Sequence, residues 1–389
     1  MGVTSRALLL ALVVVIWIEG TAFRRARSSR GGDAVWLRLG AQAFPELERA
    51  LTREYASFFA PMERKFYEQD VTFVDPLTSF TGIDKYQANV DMLAGRSGLG
   101  KLLFKDASIV LHKISRGAGL RENQLQTRWT LQFSVKFLPW QPRPRFTGVS
   151  VYTINPESGK VMRQDDFWDS INLQNGEYKA VGFLQGLNDF LSALDKQDGA
   201  EMAAPELPYE LLRRAATYEI RRYPKILSAE TIYDQRPEGY DRLGSYAGGS
   251  NVRDERVKFY SPTLMFINDS KEGKREKKMV WPLDFELPGK TLPDPSSLPE
   301  PTIPRVTVGS LPGKTYAVTR FTRAATEVNV RGFTGLLLKD IQADGLRATK
   351  AAAEDGECIV GQFDALFSLN KRRNEAWAEI ESSSAEAFW

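Results

Sequence analysis

A chain of 389 residues is too long for one ordinary hydrophobic core, so two domains are expected. The formal net charge is only +3 and no long basic run occurs in the periodic regions, which argues against nucleic acid as a partner. The single cysteine, Cys358, excludes an intrachain disulfide and a cysteine-rich metal site, and reads as a small apolar core residue.

Ala7 to Ile18 is an apolar run behind Arg6, too short to span a bilayer comfortably and typical of a signal-peptide core. Residues 1–22, closed by the small residues Gly20, Thr21 and Ala22, are expected to be a signal peptide. Residues 23–40 open on Phe23 and carry Arg24, Arg25, Arg27, Ser28, Ser29 and Arg30, an Arg/Ser-rich start like a transit peptide. Together they resemble the bipartite presequence of algae with complex plastids. Plastid (chloroplast) localisation in a photosynthetic eukaryote is the expectation, and secretion is the alternative.

From Phe44, apolar residues at Leu47, Leu51, Tyr55, Phe58, Met62 and Phe66 define one face of a long helix, with Pro61 kinking or dividing it. Asp70–Pro76 reads as a strand closed by a proline turn, and Lys85–Leu93 as a helix. Strands are expected at 107–114, 125–138, 146–154 and 161–169. Phe183, Leu187, Phe190, Leu191 and Leu194 form a closing helical stripe. Helices first and an antiparallel meander after them suggest an α+β fold with helices packed into a curved sheet.

These residues resemble the nuclear transport factor 2-like domain of a plant and algal family over about 43–195. Five blocks carry the resemblance: Phe66–Pro76, Phe80–Tyr86, Leu138–Pro142, Phe146–Gly148 and Asp166–Asp169. The resemblance implies a cone-shaped cavity that some relatives use for isomerase or dehydratase chemistry. Such chemistry needs a carboxylate or a His–Asp pair inside an apolar pocket. Candidates are Asp75, Asp165, Asp166, Asp169 and the chain's only histidine, His112; turn and surface roles are the plainer reading of each. Asp166 and Trp168 fall on one strand face, Asp165, Phe167 and Asp169 on the other. The Leu138–Pro144 stretch reads as a docking loop or a rigid hairpin connection.

Residues 198–206 read as a linker. Strands follow at 209–214, 217–222 and 226–232, then a helix from near Pro237 that stops at Gly248-Gly249. Six prolines in 288–304 mark an irregular loop. Val306–Phe321 reads as strand, turn at Pro312-Gly313, strand, and Ala324–Ala343 as a helix ending at Asp344-Gly345.

Three segments in this half, Tyr218–Pro224, Gly239–Asn251 and Arg372–Trp377, together resemble the SOUL haem-binding family over about 208–381. The resemblance implies an antiparallel barrel-like sheet flanked by two helices. The implied boundaries are a first domain at 41–197, a SOUL domain at 207–382 and a tail at 383–389. The implied ligand is haem or a related tetrapyrrole, bound non-covalently on a shallow apolar surface beside the first helix. The matching positions are Tyr240, Arg242, Leu243, Tyr246 and Ala247, with Arg242 able to meet a propionate; core packing is the equal alternative for the Tyr and Leu.

Residues 205–389 contain no histidine, so a histidine ligand inside the SOUL domain is excluded by composition. The nearest axial candidates by residue type are Tyr240, Tyr246, Met265 and Cys358. Ser245 stands where the family has lysine, Tyr260–Leu264 replaces its Met-Thr-x-Pro-Val turn, and Arg323 replaces a glycine. Arg372, Arg373, Asn374 and Glu375 are expected to fix the last strand. The expected function is a plastid tetrapyrrole carrier or buffer, without catalysis. The alternatives are a non-catalytic subunit or assembly factor in contact with thylakoid or pigment–protein complexes, and an enzyme using the cone cavity.

Overall fold

The computed structural model describes residues 33–117, 119–194, 204–269, 275–284, 294–363 and 372–388. The expected signal peptide, the first part of the transit-like segment and most of the linker lie outside these described residues. Contacts divide the chain into two compact units: residues to Lys196 with Leu212–Ala216, and Gln197–Leu211 with Thr217–Phe388.

The first unit opens with helix α1 (Asp33–Ala56). Its stripe of Phe44, Leu47, Leu51 and Tyr55 is buried, as the three-and-four spacing predicts. The helix ends at Ala56, short of the expected kink at Pro61. What stops it is a pair of left-handed residues, Phe58 (φ 52) and Phe59 (φ 56), a conformation costly for aromatic side chains and held here by burying Phe59.

Strands β1 (Tyr67–Val74) and β2 (Ser79–Thr81) follow, then helices α2 (Ile83–Leu93) and α3 (Gly98–Leu103). The long strands β3 (Phe104–Ser115), β4 (Gln124–Val135), β5 (Arg145–Ile154) and β6 (Val161–Trp168) form the expected meander. The sheet order is β2-β1-β6-β5-β4-β3. One ladder departs from the antiparallel expectation: β1 pairs parallel to β6. Two register irregularities in β3, one at left-handed Asp106, break the β3–β4 ladder in the way that bends a strand and curls a sheet. The unit closes with α4 (Asp169–Asn172), the short pair β7 (Leu173–Gln174) and β8 (Glu177–Tyr178), and α5 (Phe183–Leu194). Trp140 donates its Nε1–H to the carbonyl of Leu194 at 2.9 Å, which ties the proline-rich connection to the end of α5.

The second sheet has nine strands: β9 (Glu210–Arg214), β10 (Glu219–Tyr223), β11 (Ile226–Ile232), β12 (Thr263–Asp269), β13 (Arg275–Pro282), β14 (Val306–Leu311), β15 (Lys314–Phe321), β16 (Cys358–Gln362) and β17 (Asn374–Glu379). Its order is β14-β11-β13-β12-β16-β17-β15-β10-β9. Although β14 and β15 flank the Pro312-Gly313 turn, they do not pair with each other. Instead β15 pairs with β10 and β14 with β11, the registers running from Tyr223↔Lys314 to Ile226↔Leu311. One long two-stranded ladder therefore bends at Pro224 and at Pro312-Gly313, where proline and glycine interrupt pairing, and carries the sheet around a corner. The result is a curled, barrel-like antiparallel sheet.

Helices α6 (Arg236–Ala247) and α7 (Glu327–Ala343) flank it. Thr326 caps α7 by accepting from the Asn329 amide, and Gly345 (φ 79) supplies the left-handed stop. Short helices α8 (Lys350–Ala353) and α9 (Ser382–Phe388) complete the unit. One core contains Leu243, Tyr246, Met265, Met279 and Val330; a separate cluster gathers Tyr223, Val280, Val318, Ile359 and Trp377.

Candidate functional sites

The first unit holds two adjoining, partly open pockets of about 80 and 100 Å3, two lobes of one cavity. The lobes share Phe73, Asn89, Leu93, Trp129, Leu131 and Asp166. Aromatic side chains make up about half of the lining residues, Trp129, Phe133, Phe146 and Trp168 from β4–β6 and the others from the helices, β1, β3 and the turn after α1. Asp166 and Trp168, expected from sequence to share one strand face, both line the cavity.

Asp166 accepts from Gln164 Nε2 at 2.8 Å, and Gln164 Oε1 accepts from the Tyr86 hydroxyl. Trp129 Nε1 donates to Ser150 Oγ at 2.8 Å, and the Tyr55 hydroxyl lies 3.1 Å from that of Tyr152. Burial pushes the Asp166 carboxyl up to about 7, with nearby Asp75 raising it further against the hydrogen bonds. Asp75 lines the larger lobe and is pushed to about 6 by burial, although it accepts from the amides of Leu77 (2.7 Å) and Thr78 (2.5 Å). Burial holds Tyr55, Tyr86 and Tyr152 above the usual phenol range, so they stay neutral donors.

The other candidates fall elsewhere. Asp165 is ion-paired with Arg163 at 2.6 Å. His112 shares a 2.8 Å hydrogen bond with Thr130. Asp169 does not continue the strand but begins α4, fully buried against Arg128 at 2.7 Å. Burial alone would raise its carboxyl, but the Arg128 guanidinium and hydrogen bonds outweigh it and hold it low. Glu54, not singled out from sequence, is pushed to about 7 by burial and accepts from Tyr67 at 2.7 Å. Only its position one residue before Tyr55 on the buried stripe could have pointed to it.

In the second unit the five expected ligand positions divide. Leu243 and Tyr246 are 0% exposed and belong to the core, the Tyr246 hydroxyl donating to the Pro299 carbonyl at 3.0 Å. Arg242 is committed to Glu238 and to the Ile232 carbonyl at 2.8 Å. Tyr240 and Ala247 are half-buried on the outer part of α6. Met265 and Cys358 are core residues, so among the four axial candidates only Tyr240 is near the surface. Burial raises its phenol, which disfavours the phenolate that metal ligation requires.

What sequence reasoning missed is the aromatic platform beside α6. The Tyr240 and Trp281 ring centroids lie 6.3 Å apart, and Phe259 lies tilted against Trp281 at 4.3 Å. Gly244 is half-buried and an added Cβ would first meet Trp281 at 3.9 Å, so α6 packs its glycine over this ring, which is only 7% exposed, while Tyr240 and Phe259 are half-buried. The buried Trp281 Nε1 has no hydrogen-bond partner among the described residues. The rings are tilted by 57° and 30° to one another, so a ligand would meet the half-buried Tyr240 and Phe259 first; the unmatched indole N–H suits one that brings an acceptor.

Arg221 is buried and forks onto Glu375 at 2.9 and 3.1 Å. Glu375 also receives Arg373 and the Trp377 indole, each at 3.1 Å, and Asn374 donates to the Arg323 carbonyl at 2.9 Å. The C-terminal signature is thus a structural clamp on β17. Among the described residues no group of three His, Cys, Asp or Glu could hold a metal, and no helix is long and apolar enough to cross a membrane.

Residues 204–379 match the family model described as SOUL heme-binding protein, and 46–163 match that of an uncharacterized conserved protein, DUF2358. No curated protein matches. Solved structures resemble the chain weakly. An NTF2-like protein of unknown function from Exiguobacterium is 17% identical, covering 31% of this chain and 98% of its own, with a TM-score of 0.24. The EcmrR C-terminal domain is 10% identical, covering 44% of this chain and 98% of its own, with a TM-score of 0.30. Residues 204–379 thus carry a match to a SOUL heme-binding domain and residues 46–163 a match to a DUF2358 domain, in the order expected.

Proposed function

We propose that the second unit binds haem or a related tetrapyrrole, non-covalently and reversibly, as a carrier or buffer in the plastid. The observation that carries this reading is the Tyr240–Trp281–Phe259 platform beside α6, within residues that match a haem-binding family. The plastid address rests on the presequence resemblance in residues 1–40.

Haem held here has no histidine of the same unit to ligate its iron. Apolar burial against the platform and one or two charge-assisted contacts must supply the affinity, which sets it near micromolar, about −8 kcal/mol. Arg242 is the cation nearest to this role on α6; reaching a propionate means giving up Glu238. Its present pairing supports a modest affinity rather than a tight clamp.

Titrating the full chain with haemin and with a chlorophyll derivative, followed by absorption, tests the reading. Saturable uptake by the wild type and at least tenfold weaker uptake by Gly244→Glu are expected, because the new carboxylate would stand over the platform. Equal uptake by both would move the site away from α6. Silence of both ligands at micromolar concentration would remove the function.

A further inference from the structure

The cone cavity of the first unit has a charge pattern of its own. Among the described residues its lining includes no lysine, arginine or histidine, while Asp75 and Asp166 bring two carboxylates to the larger lobe. By contrast, buried Asp169 in the same unit is matched by Arg128. The remaining surface is ring-rich, with Phe73, Trp129, Phe133 and Phe146 among the walls. Aromatic faces and paired carboxylates attract the same kind of guest.

We propose that this cavity binds a small lipophilic cation, an ammonium-type head lying between Asp75 and Asp166 with its apolar body against the aromatic walls. An anion would meet two like charges. A neutral hydrocarbon would leave two carboxylates desolvated without compensation. This inference rests on the first unit alone and is independent of the tetrapyrrole reading.

Its pH dependence has a definite sign. A cation needs the carboxylate form, and in the free protein Asp166 and Asp75 are pushed to about 7 and about 6. The other ionisable groups bearing on Asp166 are Asp165, committed to Arg163, and the neutral phenols of Tyr55, Tyr86 and Tyr152. Affinity for a permanently charged guest therefore rises with pH through this range and levels off above it.

The test is calorimetry on the full chain with benzyltrimethylammonium and with neopentylbenzene, its uncharged shape match. At pH 8 the cation should bind at least about tenfold more tightly than the neutral compound, and should weaken about tenfold or more by pH 5.5. Asp166→Asn, with folding confirmed by circular dichroism, should lose about tenfold in affinity and flatten the pH profile; Asp75→Asn should act in the same direction. Equal binding of charged and neutral probes, an unchanged affinity in both variants, or no binding of the cation at millimolar concentration would each overturn the proposal.

Discussion

The acid clamp of the second unit and the cavity acids of the first unit are treated in opposite ways. In the second, Glu375 is held between Arg221 and Arg373; burial would raise it, but Arg221 first among its partners keeps it low. In the first, Asp166 and Asp75 line a cavity with no cationic side chain among the described residues, and both are pushed up. A paired buried charge holds a fold together only while both partners remain. An unmatched one costs stability and leaves interaction capacity for a guest. The contrast separates the clamp from the cavity.

Breaking the clamp should have the largest effect. Glu375→Ala leaves Arg221 buried without its main partner and should cost about 3–5 kcal/mol, read by urea unfolding. Replacing Arg221 and Glu375 together, by Met and Leu, should cost less than Glu375→Ala alone. If the double variant is the less stable, the pair is worth more than its parts and the contrast weakens.

The opposite sign is expected at the cavity. Because the folded-state carboxyl of Asp166 is raised, the native state holds its proton more tightly than the unfolded chain. Stability is thus lost as pH rises from about 4 to about 7. Asp166→Asn should abolish that loss, so its thermal midpoint should exceed the wild type's by several degrees at pH 8 and match it at pH 4. A destabilised variant at pH 8 would mean that the carboxylate has a hidden partner.

The lowered acids, Glu375 and Asp169, act in the other direction: their contribution is present above the unfolded-state values near 4 and is lost as pH falls below them. Acid unfolding should therefore set in below about pH 4, and Asp169→Asn should reduce the steepness of the first unit's acid transition. The smallest effect is expected from His112→Ala. Its half-buried ring shares one hydrogen bond with Thr130, and haemin uptake should be unchanged.

Much of the fold was legible because its signals are local. The buried stripe of α1, the four meander strands and the glycine stop of α6 follow from spacing and turn chemistry alone. The end of α1 was misplaced because Phe58 and Phe59 adopt a left-handed conformation that aromatic residues rarely choose. Pairing across the bent ladder was also hidden: Val306–Leu311 and Lys314–Phe321 are sequence neighbours, yet each pairs with a different, distant strand.

The site was legible only in part. Strand alternation put Asp166 and Trp168 on one face without saying that it is the inner one, and the lack of a base among the described lining residues depends on residues brought together from several elements. Helical spacing identified α6 without saying which of its faces meets the sheet, so core residues Leu243 and Tyr246 were grouped with outer Tyr240. Trp281 and Phe259 carry no motif and emerge only when β13 is folded against α6.

The central claim, tetrapyrrole binding without histidine ligation in the second unit, is tested most directly by the absorption spectrum of the full chain loaded with haemin. The account predicts saturable 1:1 uptake near micromolar haemin and a spectrum lacking six-coordinate bis-histidine bands, identical in the wild type and His112→Ala. A histidine-ligated spectrum that disappears in His112→Ala, or no spectral change at all, would contradict it.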